Sequence, residues 1–165
     1  MGPHRGAVLS DDSVDVAVES TPLAPEAASV YVVDWVSAPD LGPLLDPTHL
    51  AVAQYPAGWR PPSPLPSFSV LIDAPDEVTV VAAESAFESL EAPTRIEVGW
   101  RRITFAGPLP WELVGFLADV AGRLASAGIP LAAMAGFSTD HVLVRAAHAD
   151  LAVEVLRGNA PPARR

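Results

Sequence analysis

Between Arg95 and Leu156 the hydrophobic period runs from that of a strand to that of a helix, back again, and once more to a helix, and this order limits the fold more than any other feature of the chain. Arg95 to Phe105 reads as a strand, with Ile96, Val98 and Trp100 on one alternation and Arg101, Ile103 and Phe105 on the other. The phase changes near Gly99, which suggests a bulge or a strand that turns from one packing partner to another. Gly107-Pro108-Leu109-Pro110 then stops the strand. Leu113, Val114, Phe116, Leu117, Val120, Ala121 and Leu124 recur at helical spacing, with Glu112, Asp119, Arg123 and Ser126 opposite, and Gly128 supplies the left-handed stop. Ile129 to Ala135 and His141 to Arg145 read as short strands around the turn Gly136-Phe137-Ser138-Thr139-Asp140, and Ala149 to Leu156 as a second helix ended by Gly158-Asn159. Strand, helix, strand, strand, helix predicts an α+β layer with helices on one face of an antiparallel sheet, and it lacks the last strand of a βαββαβ unit.

The front of the chain is rich in strands and poor in helix. Val30 to Val36 reads as a strand. Thr48 to Ala53 follows Pro39, Gly42, Pro43 and Pro47 and is long enough for a turn or two of helix. Residues 56–66 carry five prolines, which favour an extended surface crossing. Phe68 to Ile72 and Val78 to Ala82 flank Asp73-Ala74-Pro75-Asp76-Glu77 and read as a hairpin. One of these front strands is expected to complete the rear sheet, so that the two halves interlock and the boundary near 91–95 is topological only. Residues 1–28 combine acidic residues with prolines and read as a disordered acidic arm, although Val14, Val16 and Val18 alternate as a strand would. The resulting division is an arm over 1–28, an N-terminal half over 29–92, a C-terminal half over 93–158 and a flexible tail over 159–165.

Composition narrows the function. With 165 residues, 50% of them hydrophobic and 18% charged, the chain can bury a core. The net charge is −10 and every one of the ten basic residues is Arg, so nothing in the sequence forms a polybasic surface for nucleic acid or anionic membrane. The absence of cysteine removes disulfides, thiol catalysis and thiolate metal sites, and suits a cytoplasmic address. No segment has the length and apolarity of a membrane span. The four histidines lack metal-ligand spacing, and no nucleophile elbow, phosphate loop or dinucleotide fingerprint occurs. The reading is therefore no enzyme, no cofactor and no metal. Trp35, Trp59, Trp100 and Trp111 read as packing residues, with Trp59 and Trp111 open to a role at a pocket or interface.

Several segments, in order, carry a family resemblance: Ser67-Phe68-Ser69-Val70 with Asp76-Glu77-Val78-Thr79-Val80-Val81, Trp100-Arg101, Gly107-Pro108-Leu109, Gly115-Phe116-Leu117-Ala118, Leu124-Ala125-Ser126-Ala127-Gly128-Ile129, and Thr139-Asp140-His141-Val142-Leu143-Val144-Arg145. Across residues 30–157, and most closely from 67 onward, the chain resembles the tandem ACT-domain proteins of the small amino-acid-sensor type, to which the animal arginine sensor of growth signalling is distantly similar. The resemblance implies two ferredoxin-like ACT-type halves sharing antiparallel sheets, and a non-enzymatic regulatory module that binds a small ligand, an amino acid above all, between its halves or across a homodimer interface. It also implies a site at Leu113, Val114 and Gly115, facing Gly128-Ile129 and the turn Ser138-Thr139-Asp140, with Asp140 pairing a ligand amine or guanidinium and helix-start N–H groups holding a carboxylate.

A plainer reading makes Gly115 a packing glycine and Asp140 a turn residue. The chain also departs from the family pattern at Ala135-Gly136-Phe137-Ser138, where a Ser-Thr pair and an Asp are usual, and at Pro110-Trp111, where an acidic residue and an aromatic are usual. Those departures keep open a second function, a protein-interaction module that retains the fold without the ligand and associates by sheet extension or helix packing.

Overall fold

The computed structural model describes residues 41–65 and 67–159. The expected arm over 1–28, the strand at Val30 to Val36 and most of the tail lie outside the described residues. Six strands form one antiparallel sheet: β1 (Pro43–Pro56), β2 (Val70–Asp73), β3 (Glu77–Ala83), β4 (Arg95–Phe105), β5 (Leu131–Ala135) and β6 (Asp140–Arg145), in the spatial order β2-β3-β1-β4-β6-β5. Two helices, α1 (Phe116–Ser126) and α2 (Ala149–Leu156), pack on one face, and a 3₁₀ turn follows β3 at Glu84–Ser89.

Thr48 to Ala53 is strand and not helix, which corrects the sequence reading. β1 pairs with β3 on one side, from Leu50↔Ala83 to Pro56↔Glu77, and with β4 on the other, from Pro43↔Phe105 to Gln54↔Arg95. Its prolines sit where no ladder donor is needed. Pro43 and Pro56 are the strand's ends, and Pro47 falls in the register shift between Leu45 and His49, where the ladder to β4 is interrupted. Inside that shift the Asp46 carboxylate accepts the Thr48 N–H at 2.8 Å and pairs with Arg102. Burial pushes the Asp46 carboxyl up, but the bonds from Thr48 and Arg102 outweigh it and hold the group at about 2.

β1 lies antiparallel beside β4, in the place that the last strand of a βαββαβ unit would take. The front of the chain thus completes the rear sheet, but with the segment read as proline breaks and a short helix and not with one of the strands named from the sequence. It does so with three strands and a 3₁₀ turn, and no α-helix occurs among the described residues before Phe116. An N-terminal half with its own pair of helices is therefore not what residues 41–92 form.

Other elements follow their sequences closely. β4 spans the expected residues, and its bulge lies at Gly99, where φ is +78° and the register to β1 slips between Leu50 and Val52. The Glu84 carboxylate accepts the Gly99 N–H at 2.7 Å, which satisfies the donor that the bulge takes out of the ladder. β2 and β3 form the predicted hairpin, closed by the Ala74 N–H donating to the Glu77 carbonyl at 2.9 Å. α1 buries Phe116, Val120 and Leu124, a stripe at every fourth residue, and carries the Asp119–Arg123 ion pair on another face at 2.9 Å. Its end is a Schellman motif: Gly128 has φ +71°, the Ile129 N–H reaches the Leu124 carbonyl at 2.9 Å, and the Gly128 N–H reaches the Ala125 carbonyl at 3.0 Å.

Alternation divides the sheet's faces. Ile103 and Phe105 of β4 and Val142 and Val144 of β6 meet Phe116, Val120 and Leu124 of α1 and Ala152, Val153 and Leu156 of α2 in the helix-side core. Ala53, Tyr55, Val78, Val80 and Ala82 form a second cluster with Trp59 and Phe87 packed against it. Leu50, Val81 and Leu143 point the other way, where Phe68, Trp100 and Met134 pack on them.

Candidate functional site

Two connections meet at one end of α1. The first is residues 106–115, between β4 and α1. The second is the turn 136–139, between β5 and β6. The backbone ties them: the Leu109 N–H donates to the Ser138 carbonyl at 2.8 Å, and Thr139 Oγ1 donates to the Phe105 carbonyl at 2.9 Å. Gly107 allows the approach, because a Cβ there would stand 2.9 Å from the Ser138 oxygen, against backbone that cannot give way. Gly136 is held alike, with its N–H on the Thr139 carbonyl at 3.0 Å and no room for a Cβ beside that oxygen.

Between the two connections opens a cleft of about 310 Å³. Its floor is the first turn of α1, from Phe116 to Ala118, and its walls include Leu109, Leu113 and Ala135. Trp111 and Phe137 stand at its rim, edge to face with centroids 5.4 Å apart, and are 72% and 82% exposed. Asp140 is the only charged side chain among the described residues lining the cleft, and its carboxylate has no hydrogen bond or ion pair among the described residues.

The cleft gathers five of the eight residues expected at a ligand site: Leu113, Gly115, Ser138, Thr139 and Asp140. Three stand elsewhere. Val114 is 72% exposed and does not line the cleft. Gly128 and Ile129 belong to the far end of α1, where Gly128 makes the Schellman turn and Ile129 is buried in the helix-side core. A helix of eleven residues separates the two ends by about 16 Å. Thr139 lines the cleft, but its hydroxyl is committed to Phe105. Gly115 is not a packing glycine, since a Cβ there would meet nothing within 4 Å; its φ of +87° is what requires glycine. α1 begins directly after it, and the Asp119 N–H bonds back to the Gly115 carbonyl at 2.9 Å. The N–H groups of Leu117 and Ala118 precede that bond at the cleft floor, where the positive end of the helix dipole also lies. The sequence reading left out Leu109, Leu117 and Phe137, whose spacing signals only packing or a turn.

His141 adjoins the turn from the helix-free face. Its Nδ1 lies 3.0 Å from Thr104 Oγ1, and its ring meets Phe68 edge-on at 5.2 Å, while the Arg102 guanidinium lies over the same Phe68 ring at 3.8 Å. Burial lowers the His141 pKa, Arg102 repulsion lowers it further, and Asp140 opposes both. A lowered folded value means that the unfolded chain, with its imidazole near 6.5, binds more protons as the pH falls through that value. The unfolding midpoint is therefore expected to fall as the pH drops below 6.5, and His141→Gln to flatten that part of a pH series of thermal melts. Equal slopes in the two proteins would assign the acid sensitivity to another group. Among the described residues no three His, Asp or Glu side chains gather as a metal-ligand set.

Residues 95–158, from the start of β4 past the end of α2, match the family model of the ACT domain. No curated protein matches the chain. Among solved structures it is similar to a protein from Agobacterium tumefaciens, with 23% identity over 73% of this chain and 91% of the other and a TM-score of 0.62. It is also similar to a Vibrio cholerae protein of unknown function described as a possible transport protein, at 21% identity over 72% and 89% of the two chains and a TM-score of 0.56. The ligand-free regulatory subunit of aspartate kinase from Thermus thermophilus aligns over 73% of this chain and 97% of its own, at 13% identity and a TM-score of 0.52. At these identities the likeness is one of fold: an α+β ACT-type arrangement with β1 in the place of its last strand and β2 and β3 added to the sheet beyond it.

Proposed function

We propose that the chain is a non-catalytic regulatory module that takes a free amino acid in the cleft at the start of α1. The observation that carries this reading is the meeting, in one solvent-open hollow of an ACT-type fold, of the Leu117 and Ala118 N–H groups at the helix start with the Asp140 carboxylate, which makes no hydrogen bond or ion pair among the described residues. Those are the two complements of an amino acid's α-carboxylate and α-ammonium. The carboxylate would accept from the first turn of α1, and the ammonium would pair with Asp140. Regulation then requires that the ligand prefer one of two arrangements, because equal affinity for both shifts neither.

A thermal-shift screen of the full chain against the free amino acids tests the reading. A ligand present at 100 times its dissociation constant stabilises the native state by about 2.7 kcal/mol, which a melting curve resolves. Asp140→Ala is expected to weaken binding by about tenfold or more in a calorimetric titration, the scale of a lost charge-assisted hydrogen bond, while leaving the unliganded melting midpoint in place. Unchanged affinity in that variant would remove Asp140 from the site. No shift with any amino acid would favour the second reading, a ligand-free interaction module, for which β5 gives a specific reason. That edge strand, Leu131-Ala132-Ala133-Met134-Ala135, has neither proline nor charge to discourage a further strand from pairing.

A further inference from the structure

We infer that the amino acid selected by the cleft has an uncharged, apolar side chain, and that an aromatic ring fits best; this rests on the amino-acid reading above. The lining carries one charged side chain among the described residues, Asp140. If Asp140 holds the α-ammonium, a basic side chain brings a second cation with no second carboxylate to receive it. An acidic side chain meets no cation at all, so a charge of either sign gains no partner from the lining, whereas an apolar side chain gains contact with it. Besides Asp140 the polar side chains of the lining are the hydroxyls of Ser138 and Thr139, the latter committed to the Phe105 carbonyl, and the large side chains are apolar: Leu109, Leu113 and Leu117, with Trp111 and Phe137 at the rim.

The rim pair adds a preference within the apolar class. Two large aromatic side chains, each more than two-thirds exposed, stand edge to face at 5.4 Å with an interplanar angle of 72°. A third ring entering the cleft can continue that arrangement and remove apolar surface of both rings from water. The cleft volume, about 310 Å³, lies at the small end of small-molecule pockets and suits a single amino acid.

The test is calorimetric titration of the full chain with L-phenylalanine, L-arginine, L-aspartate and glycine, repeated on Phe137→Ala and Trp111→Ala. Phenylalanine is expected to bind at least about tenfold tighter than the other three, and each variant to weaken it by about tenfold. Because both rings are solvent-exposed, the variants are expected to melt as the parent does. Arginine, aspartate or glycine binding as tightly as phenylalanine would overturn the inference and leave the amino-acid reading standing. Tight phenylalanine binding indifferent to both rim substitutions would overturn it as well. Binding of none of the four would contradict the amino-acid reading itself.

Discussion

Phe105→Ala is expected to lower the unfolding free energy by about 3–5 kcal/mol, the range for removing a fully buried aromatic ring. Phe105 closes β4, is 1% exposed, and meets the Phe116 ring edge-on at 4.9 Å, so it joins the sheet to the first residue of α1. A domain's whole stability is only about 5–15 kcal/mol, so this one side chain accounts for a large part of it. The substitution leaves the Phe105 carbonyl in place, and with it the Thr139 tether of the β5–β6 turn. Its effect is therefore one of packing. Urea denaturation followed by circular dichroism checks this, with a lower midpoint and an unchanged slope expected. A loss below about 1 kcal/mol would mean that the cavity collapses at little cost and that α1 is anchored elsewhere along its stripe.

The same region was largely legible in the sequence, because each of its elements carries its own signal. The stripe of Phe116, Val120 and Leu124, the glycine stop at Gly128, and the phase change at Gly99 are local features that the fold uses as they stand. β1 was not legible, for two physical reasons. Its prolines resemble breaks until the register shows Pro47 in a bulge and Pro43 and Pro56 at the ends. Its alternation, Leu50 and Val52 against Ala51, Ala53 and Tyr55, is diluted by alanines, whose burial depends on neighbours that are distant in sequence.

For the site, the turn and the helix start were readable as chemistry, since Asp140 and Gly115 carry charge and backbone freedom. The placement of Gly128 and Ile129 was not. Which end of a helix faces a given turn is set by how the strands pair, and here β6 returns its Asp140 end to the start of α1. Phe137 was equally silent, because a single aromatic in a turn gives no period from which a rim can be read.

Tyr55→Ala is the companion to the Phe105 experiment, at the other end of the sheet. Tyr55 is 1% exposed, stacks on Trp59 with centroids 3.7 Å apart, and donates its hydroxyl to the Glu91 carbonyl at 3.1 Å. Burial, with the charge of Glu91 beside it, pushes the phenol pKa up, so the ring stays neutral across the working range. Truncation is expected to cost about 3–5 kcal/mol, of which Tyr55→Phe, losing only the hydroxyl, should reproduce about 0.5–1.5 kcal/mol. The informative result is the shape of the transition. β1 is one strand with Leu45 against the helix-side core and Ala53 and Tyr55 in the second cluster, and it holds β3 on one side and β4 on the other. Loss of either cluster strips β1 of partners that the other cluster needs. Tyr55→Ala and Phe105→Ala are therefore expected to move one shared transition, with circular dichroism and tryptophan fluorescence coincident in both proteins. Two separated transitions in Tyr55→Ala would show instead that the hairpin and β1 melt away from an ACT-type remainder that stands without its borrowed strand.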